Sequence, residues 1–274
     1  MTNSAADTVQ ALAHNALPAF FLALLALLAG VTALWWLLQR YGVHRPDSRY
    51  PRQAYLVGHL LVACVLMASG ATVFAVIADN IGDGRTFGQL DMLLSDTVRS
   101  TVSTITLQVF AMLTYLGDPI ILTILTVIVG GGLFWRHHYG LCAAWVLAVA
   151  GNGALTRVLK SIFERTRPIH EHGLAFAHGY SFPSGHTSSS LAVFGMLAYI
   201  AMRLLSPQRS ALRLPILLAA TALAFTVGCS RVFLQVHFAS DVLAGFAVAI
   251  AWLALSISVA ELVLYRQGRE VKTF

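Results

Sequence analysis

Seven long apolar stretches run through the chain, and they constrain its fold more than any other feature. A helix that crosses a bilayer needs about 20 mostly apolar residues, and seven stretches come near that length. They span residues 17–38, 55–78, 119–135, 141–159, 186–204, 212–228 and 238–265. This pattern predicts an all-α fold, a polytopic membrane helix bundle with seven crossings.

The composition agrees with a lipid environment. Of the 274 residues, 57% are hydrophobic and 11% are charged, and the mean hydropathy is +0.73, whereas a soluble domain is about 25% charged. The net charge of +6 is spread over short loops without a continuous basic stripe, so we expect no nucleic-acid partner. The three cysteines show neither CxxC nor zinc spacing, and we expect no metal and no cofactor. The first apolar stretch follows no Lys or Arg, which is unlike a cleaved signal peptide.

Residues 84–116, between the second and third apolar stretches, are too polar to cross a membrane comfortably. Apolar residues recur there at helical spacing, namely Leu90, Leu93, Leu94, Val98, Val102 and Ile105. Asp91, Asp96 and Arg99 alternate with them. The pattern predicts a helix that lies in the membrane interface.

The distribution of Lys and Arg predicts the orientation of the bundle, because cytoplasmic loops retain positive charge. Basic residues concentrate at 40–52, 203–213 and 266–272, which fall on one side if all seven stretches cross. We therefore expect the N-terminus outside and the C-terminus in the cytoplasm. Four cations lie on the outer side against this rule, namely Lys160, Arg165, Arg167 and Arg231. We expect these cations to have another task.

The first candidate motif has the pattern K-x6-RP and ends the fourth apolar stretch at Lys160, Arg167 and Pro168. An arginine fork matches two phosphate oxygens, and a lysine adds a point charge. Taken alone, cations that snorkel to the interface explain the same residues. Arg165 and Glu164 leave two interpretations open, a contact with a head group or a pair with each other.

The second candidate motif, Pro183-Ser184-Gly185-His186, directly precedes the fifth apolar stretch. Pro and Ser suit the start of a helix, where free backbone N–H groups and the helix dipole favour an anion. Gly185 lets the backbone approach a phosphate closely, and His186 can donate a proton near neutral pH. An ordinary helix cap beside an incidental histidine is the alternative.

The third candidate motif contains Ser230, Arg231, His237 and Asp241. In a helix, the four-residue spacing of His237 and Asp241 puts both side chains on one face. A carboxylate bonded to one ring nitrogen leaves the other nitrogen free as a nucleophile. A purely structural His and Asp pair is the alternative.

The predicted topology brings all three motifs to the same outer face. Together they provide cations, backbone donors, a nucleophile, its orienting carboxylate and a general acid. Such a set is sufficient for phosphoryl transfer without a metal, since that reaction needs mainly charge neutralisation and alignment. A transporter or scaffold that only binds phosphate is the non-catalytic alternative, although the internal repeat expected of a transporter is not found.

The order K-x6-RP, PSGH and SR-x5-H-x3-D resembles the signature of the type 2 phosphatidic acid phosphatase superfamily, which also includes glucose-6-phosphatases and vanadium haloperoxidases. All the motif positions match, within a resemblance over about residues 90–264. By this resemblance the phosphate would be held by Lys160, Arg167, Ser184, the amide of Gly185 and Arg231. His237 would attack phosphorus, Asp241 would orient His237, and His186 would protonate the leaving group.

Members of this superfamily commonly have six helices, so the stretch at 17–38 is one more than the resemblance implies. We predict that residues 1–54 form an N-terminal transmembrane helix and a cytoplasmic basic loop. Residues 55–274 would then form the membrane phosphatase domain. The extra helix leaves the assignment of the site unchanged.

Membrane embedding and the resemblance together predict a metal-independent hydrolase of a lipid phosphate or diphosphate, surrounded by membrane lipids, at the periplasmic face of a bacterial inner membrane. Undecaprenyl diphosphate is the favoured substrate, followed by phosphatidylglycerophosphate and phosphatidic acid. A phosphotransferase that hands the phosphate to another acceptor shares the covalent intermediate and stays open. The sequence makes no prediction of oligomeric state.

Three histidines, His170, His172 and His178, lie with Glu171 between the first two motifs. Their irregular spacing favours a solvated loop over a metal site. Whether they contact a head group is left open.

Overall fold

The computed structural model of the protein describes residues 3–41, 52–82, 84–168, 174–175 and 177–266. These residues form helices joined by short turns, with no strand among them. The helices are α1 (Asn3–His14), α2 (Ala16–Tyr41), α3 (Arg52–Asn80), α4 (Thr86–Thr101), α5 (Thr104–Leu113), α6 (Pro119–Trp135), α7 (Tyr139–Val146), α8 (Asn152–Phe163), α9 (Gly185–Leu204), α10 (Arg213–Phe233) and α11 (Ala239–Arg266).

Seven helical segments are long and apolar enough to cross a membrane, which confirms the predicted all-α polytopic bundle. They are Ala16–Arg40, Gln53–Asn80, Thr104–Trp135, Tyr139–Phe163, Gly185–Leu204, Pro207–Phe233 and Ala239–Arg266. The fourth segment combines α7 and α8 through a π-helical turn at Leu147–Gly151. The protein is therefore a multi-pass membrane protein.

The third membrane segment begins earlier than the sequence predicted. Residues 84–116 form two helices rather than one, because α4 ends at Thr101 and Ser103 caps α5 by accepting a hydrogen bond from the Thr106 amide at 3.2 Å. A 3-10 turn then leads to Asp118, which caps α6 by accepting from the amide of Ile120 at 2.8 Å. Within residues 84–116, only α4 lies outside the membrane segments.

An additional helix that the sequence analysis did not anticipate, α1, packs against α4. Ala13 of α1 is fully buried, and its carbonyl accepts a hydrogen bond from the Thr101 hydroxyl at 3.4 Å. The two amphipathic helices thus form one layer beside the bundle.

The first membrane helix, α2, packs on α10 and is otherwise mostly exposed along its length. The ring of Phe20 stacks on Phe225 and meets the edges of Phe110 and Phe233. The division of the chain at residue 54 stays a prediction.

The centre of the bundle is formed by α9, α10 and α11, with α3 packed along α11. At one end, Arg203 near the end of α9 pairs with Glu261 of α11 at 3.4 Å, and the Tyr199 hydroxyl donates to the same carboxylate at 2.7 Å. These groups join the C-terminal ends of two parallel helices. The beginnings of α9 and α11 must therefore meet at the opposite end of the bundle.

Candidate active site

Four helix ends meet at the end of the bundle opposite the Arg203–Glu261 pair. The amide of Ser184, just before α9, donates to the carbonyl of Asp241 in the first turn of α11 at 2.9 Å. Gly245 permits this approach, since an added Cβ would lie 2.8 Å from the Ser184 carbonyl oxygen. The ends of α8 and α10 bring Lys160 and Arg231 to the same place. The structure thus brings together residues of all three motifs.

His237 and Asp241 form a buried pair. The ring of His237 is 3% exposed, and its Nδ1 lies 3.4 Å from Oδ2 of Asp241. The same carboxylate oxygen accepts the amide of Phe238 at 2.9 Å. On the other side of the ring, Nε2 lies 3.0 Å from Nη1 of Arg167. Because a guanidinium can only donate, Nε2 must be an acceptor, and the ring proton lies on Nδ1, toward Asp241.

Burial keeps the His237 ring neutral. Loss of solvent lowers the pKa of His237 to about 4, although the hydrogen bond with Asp241 and the charge of that carboxylate act in the opposite direction. Near neutral pH the ring therefore has a free electron pair on Nε2. This is the state that a nucleophile requires.

Arg167 and Lys160 converge on the loop that follows α8. Arg167 donates to the carbonyls of Gly179 at 2.9 Å and Val236 at 2.6 Å, in addition to its contact with His237. Lys160 Nζ donates to the carbonyls of Tyr180 and Ser181. Two of the predicted cations thus share the Tyr180 carbonyl, and one of them, Arg167, contacts the His237 ring.

Arg231 is 2% exposed and lies at the end of α10. Its Nη1 donates to the hydroxyl of Thr114 at 2.6 Å, whereas its Nε has no hydrogen-bond partner among the described residues. A buried charged donor without a partner is costly. An anion in the site would satisfy it.

The PSGH segment presents the first turn of α9 to these cations. Ser184 is fully buried and its hydroxyl accepts from that of Thr187 at 2.9 Å, so it does not cap the first amides of α9. A helix start with uncapped amides favours an anion. The Cα of Gly185 faces Lys160, since an added Cβ would lie 3.8 Å from the Lys160 Cε atom.

His186 lies in the first turn of α9, where its carbonyl accepts the Ser190 hydroxyl at 2.6 Å. The 3-10 turn after α5 approaches it closely, because an added Cβ at Gly117 would lie 3.5 Å from Cδ2 of the His186 ring. The charged and titratable groups that act on His186 are Arg231, His237, Arg167 and Lys160. The predicted proton donor is therefore inside the cluster of cations.

The contacts of Arg165 and Asp91 were not predicted from the sequence. Arg165 does not pair with Glu164, whose hydrogen bond with Tyr180 instead raises the pKa of that phenol. Arg165 Nη1 pairs with Asp241 Oδ1 at 2.7 Å, and Nη2 pairs with Asp91 Oδ2 at 2.9 Å. Asp91, assigned to a polar face, is 5% exposed, and burial raises its pKa despite hydrogen bonds from Ser240 and Arg165. A buried carboxylate needs such a partner, but the burial of Asp91 is visible only in the folded bundle.

The loop histidines contribute little to the described site. His170, His172 and Glu171 lie outside the described residues. His178 is exposed and supplies only its carbonyl, which accepts from Arg167 at 3.1 Å. Among the residues that the structure describes, no three His, Cys, Asp or Glu side chains are grouped as metal ligands.

Comparison with known proteins agrees with the fold and the motifs. Residues 141–263 match the family model described as PAP2 superfamily. Phosphatidylglycerophosphatase B of Bacillus subtilis is 34% identical over 148 residues, which are 52% of this chain and 70% of that protein.

One solved structure gives the same relationship. The crystal structure of a transmembrane PAP2-type phosphatidylglycerolphosphate phosphatase from Bacillus subtilis superposes with a TM-score of 0.66 and 27% identity, covering 76% of this chain and 98% of the other. Aquifex aeolicus LpxE is matched with a TM-score of 0.47 and 23% identity, over 65% of this chain and 98% of the other.

Seven membrane segments around a cationic histidine site define a membrane-embedded phosphoryl-transfer protein. The chain belongs to the PAP2 superfamily. It is a membrane lipid phosphatase, a hydrolase of phosphoric ester bonds.

Proposed function

We propose that the protein removes a terminal phosphate from a lipid through a phosphohistidine at His237. The observation on which this rests is the position of the His237 ring: Nε2 lies 3.0 Å from Nη1 of Arg167, which can only donate, and Nδ1 faces Oδ2 of Asp241. The ring therefore has a free electron pair on Nε2. Arg167 lies on that side, where the phosphate would bind, and Asp241 on the other side would stabilise the positive charge that develops on the ring.

In the first step, the Nε2 electron pair of His237 forms a bond to phosphorus and the bond to the leaving oxygen breaks. His186 donates a proton to that oxygen, and the lipid leaves as an alcohol or a monophosphate. Lys160, Arg167 and Arg231 neutralise the three equatorial oxygens of the transferred group, together with Ser184 and the amide of Gly185.

In the second step, water attacks phosphorus. His186, now neutral, accepts a proton from this water, and the bond between phosphorus and Nε2 breaks. Phosphate leaves and His237 regains its electron pair. Each residue thus returns to its initial protonation state.

The unsatisfied Nε of Arg231 supports the phosphate position. This donor is buried and lies in a side chain that already contacts Thr114, so its direction is fixed. A phosphate oxygen would give this donor a charge-assisted hydrogen bond.

The first substrate that we propose is phosphatidylglycerophosphate, because the names of both Bacillus subtilis relatives refer to this lipid. Phosphatidic acid ends in the same phosphomonoester group, whereas undecaprenyl diphosphate, which the sequence favoured, ends in a phosphate joined by a phosphoanhydride bond; both lipids present a terminal phosphate that His237 could attack. These two lipids therefore belong to the same test.

We place the site on the periplasmic face of a bacterial inner membrane, with the N-terminus outside. Charge supports this orientation, since Arg136, Arg213 and Arg266 lie at the bundle end opposite the site. We also assign residues 1–54 to an added N-terminal helix and basic loop, and residues 55–274 to the phosphatase domain. The family match at 141–263 lies inside the latter.

The test is phosphate release by the purified protein in mixed micelles, over a panel of the three lipids. We expect release by the native protein and loss of release by His237→Ala. His138→Ala, at the opposite end of the bundle, is the matched control and should keep full activity.

Two outcomes would contradict the proposal. Full turnover by His237→Ala would exclude the phosphohistidine. Transport of the lipid phosphate across a vesicle membrane without phosphate release would favour a transporter. Transfer of the phosphate to an added lipid or sugar alcohol in preference to water would identify a phosphotransferase that uses the same intermediate.

A further inference from the structure

Arg165 lies between two buried carboxylates that come from distant parts of the chain. Its Nη1 contacts Asp241 at 2.7 Å, and its Nη2 contacts Asp91 of α4 at 2.9 Å. The side chains of all three residues are at most 11% exposed. The Asp91 carboxylate also accepts the amide of Ser240 at 3.1 Å, beside Asp241.

Arg165 fixes the plane of the Asp241 carboxylate. Oδ1 is held by Arg165 and Oδ2 by the amide of Phe238 at 2.9 Å, so the carboxylate cannot rotate Oδ2 away from Nδ1 of His237. The guanidinium also stacks on the Phe238 ring, 4.3 Å from its centroid. A rigid fork of this kind is a property of arginine that lysine lacks.

Asp91 also affects the net charge of the group that it forms with Arg165 and Asp241. Arg165 alone would cancel the charge of Asp241, whereas Asp91 restores one net negative charge to the group. During the reaction the His237 ring becomes positive, because Nε2 binds phosphorus while Nδ1 keeps its proton. A net negative charge behind the ring stabilises that cation in a site of low polarity.

We propose that Asp91 and Arg165 are positioning residues for His237, which act through Asp241 and without touching the substrate. The proposal rests on the proposed phosphohistidine chemistry. It also makes α4 part of the catalytic apparatus, since α4 supplies Asp91 from outside the three sequence motifs. The position of α4 would therefore affect the orientation of His237.

The test compares Asp91→Asn with Asp96→Asn. Both substitutions remove one negative charge from α4, but Asp96 is exposed and pairs only with Arg99 at 3.7 Å. We expect Asp91→Asn to lower kcat about 10- to 100-fold, the range for groups that orient a histidine, with KM close to that of the native protein. Asp96→Asn should change neither constant, and Asp91→Glu should restore part of kcat.

Arg165→Lys tests the same proposal where Asp91→Asn does not yield folded protein. Lysine keeps the charge but does not bridge both carboxylates, so kcat should fall while the thermal unfolding midpoint in detergent stays near that of Arg99→Lys. In the double variant Asp91→Asn with Arg165→Lys, the two losses should not add, because both substitutions disturb one network.

Several results would overturn the proposal. These are an unchanged kcat in Asp91→Asn, an effect on KM alone, or strictly additive losses in the double variant. Failure here is distinct from failure of the proposed function, since His237→Ala would still be inactive. An active His237→Ala variant would contradict both the proposed function and this proposal.

Discussion

Nε2 of His237 and Nη1 of Arg167 lie 3.0 Å apart, so the arginine determines which ring nitrogen has the proton. Arg167 is a permanent donor, and Nε2 can meet it only as a base. A positively charged ring would face a cation at hydrogen-bond distance. The contact thus acts together with burial to keep the nucleophile neutral.

The pH dependence of the enzyme should reflect this neutral ring. The pKa of His237 is lowered to about 4, so its electron pair is available from neutral pH down to about pH 5 and is lost as the pH falls through 4. The second ionisation of the substrate phosphate, near pH 6, also affects kcat/KM. After correction for it, we expect kcat/KM to fall on the acid side with an enzyme pKa near 4. A limb near 6.5 would contradict the assignment.

Protein stability should decline in the same acidic range. An unfolded chain has the usual histidine pKa of about 6.5 and binds the proton more readily than the folded protein does. Protonation therefore favours unfolding as the pH falls from 6.5 toward 4. Thermal unfolding of native protein and His237→Asn in detergent measures this, and the variant should lose less stability over that range.

Arg231→Lys should weaken the binding of a phosphate analogue. Lysine cannot keep both the Thr114 contact and the direction of the unsatisfied Nε. The loss of a charge-assisted hydrogen bond, about 1.5–3 kcal/mol, should raise the inhibition constant of vanadate about 10- to 100-fold. Arg99→Lys, on the exposed surface of α4, is the control and should leave the constant unchanged. Equal inhibition of all three proteins would exclude Arg231 from the phosphate site.

The sequence allowed the fold and most of the site to be predicted because each depends on a local pattern. Apolar length predicts a membrane helix, and the three motifs lie at helix ends that an alternating topology brings together. Asp91 and Thr114 were missed because their roles depend on α4 and on the turn after α5, whose packing no spacing in the sequence reveals. Arg165 was recognised as a cation of the outer side, but its ion pairs were not predicted, since its two partners lie 74 and 76 residues away along the chain.

Gly185→Ala tests whether the ligand, and not the fold, requires a glycine at this position. An added methyl group would lie 3.8 Å from Cε of Lys160 and 4.0 Å from Cγ2 of Thr156, which are ordinary contacts. We expect normal folding and an inhibition constant for vanadate raised about tenfold, a cost near 1.4 kcal/mol. Gly153→Ala in α8, where a methyl group meets nothing within 4 Å, is the matched control. Unchanged vanadate binding in Gly185→Ala would show that the ligand does not approach this backbone.

Removal of divalent metal ions should leave the activity unchanged. Lys160, Arg167 and Arg231 supply the positive charge that a metal supplies in other phosphoryl-transfer enzymes, and these cations are part of the chain. Phosphate release should therefore be equal with and without EDTA. Inhibition by EDTA that a divalent ion reverses would overturn the metal-free scheme.

Glu261→Gln should destabilise the protein without slowing the reaction. Glu261 is fully buried and binds Arg203 at 3.4 Å and the Tyr199 hydroxyl at 2.7 Å. Loss of one partner of a buried ion pair typically costs about 3–5 kcal/mol, so the thermal unfolding midpoint in detergent should fall. Asp241 lies at the other end of the same helix, roughly 30 Å away at 1.5 Å per residue, and kcat per folded molecule should be unchanged.

The double variant Arg203→Met with Glu261→Met distinguishes a structural pair from a functional one. Replacing both charges removes the unpaired group, so stability should return toward that of the native protein. If the pair only joins the ends of α9 and α11, the double variant should be stable and fully active. A stable double variant with reduced kcat would instead connect this end of the bundle to the reaction.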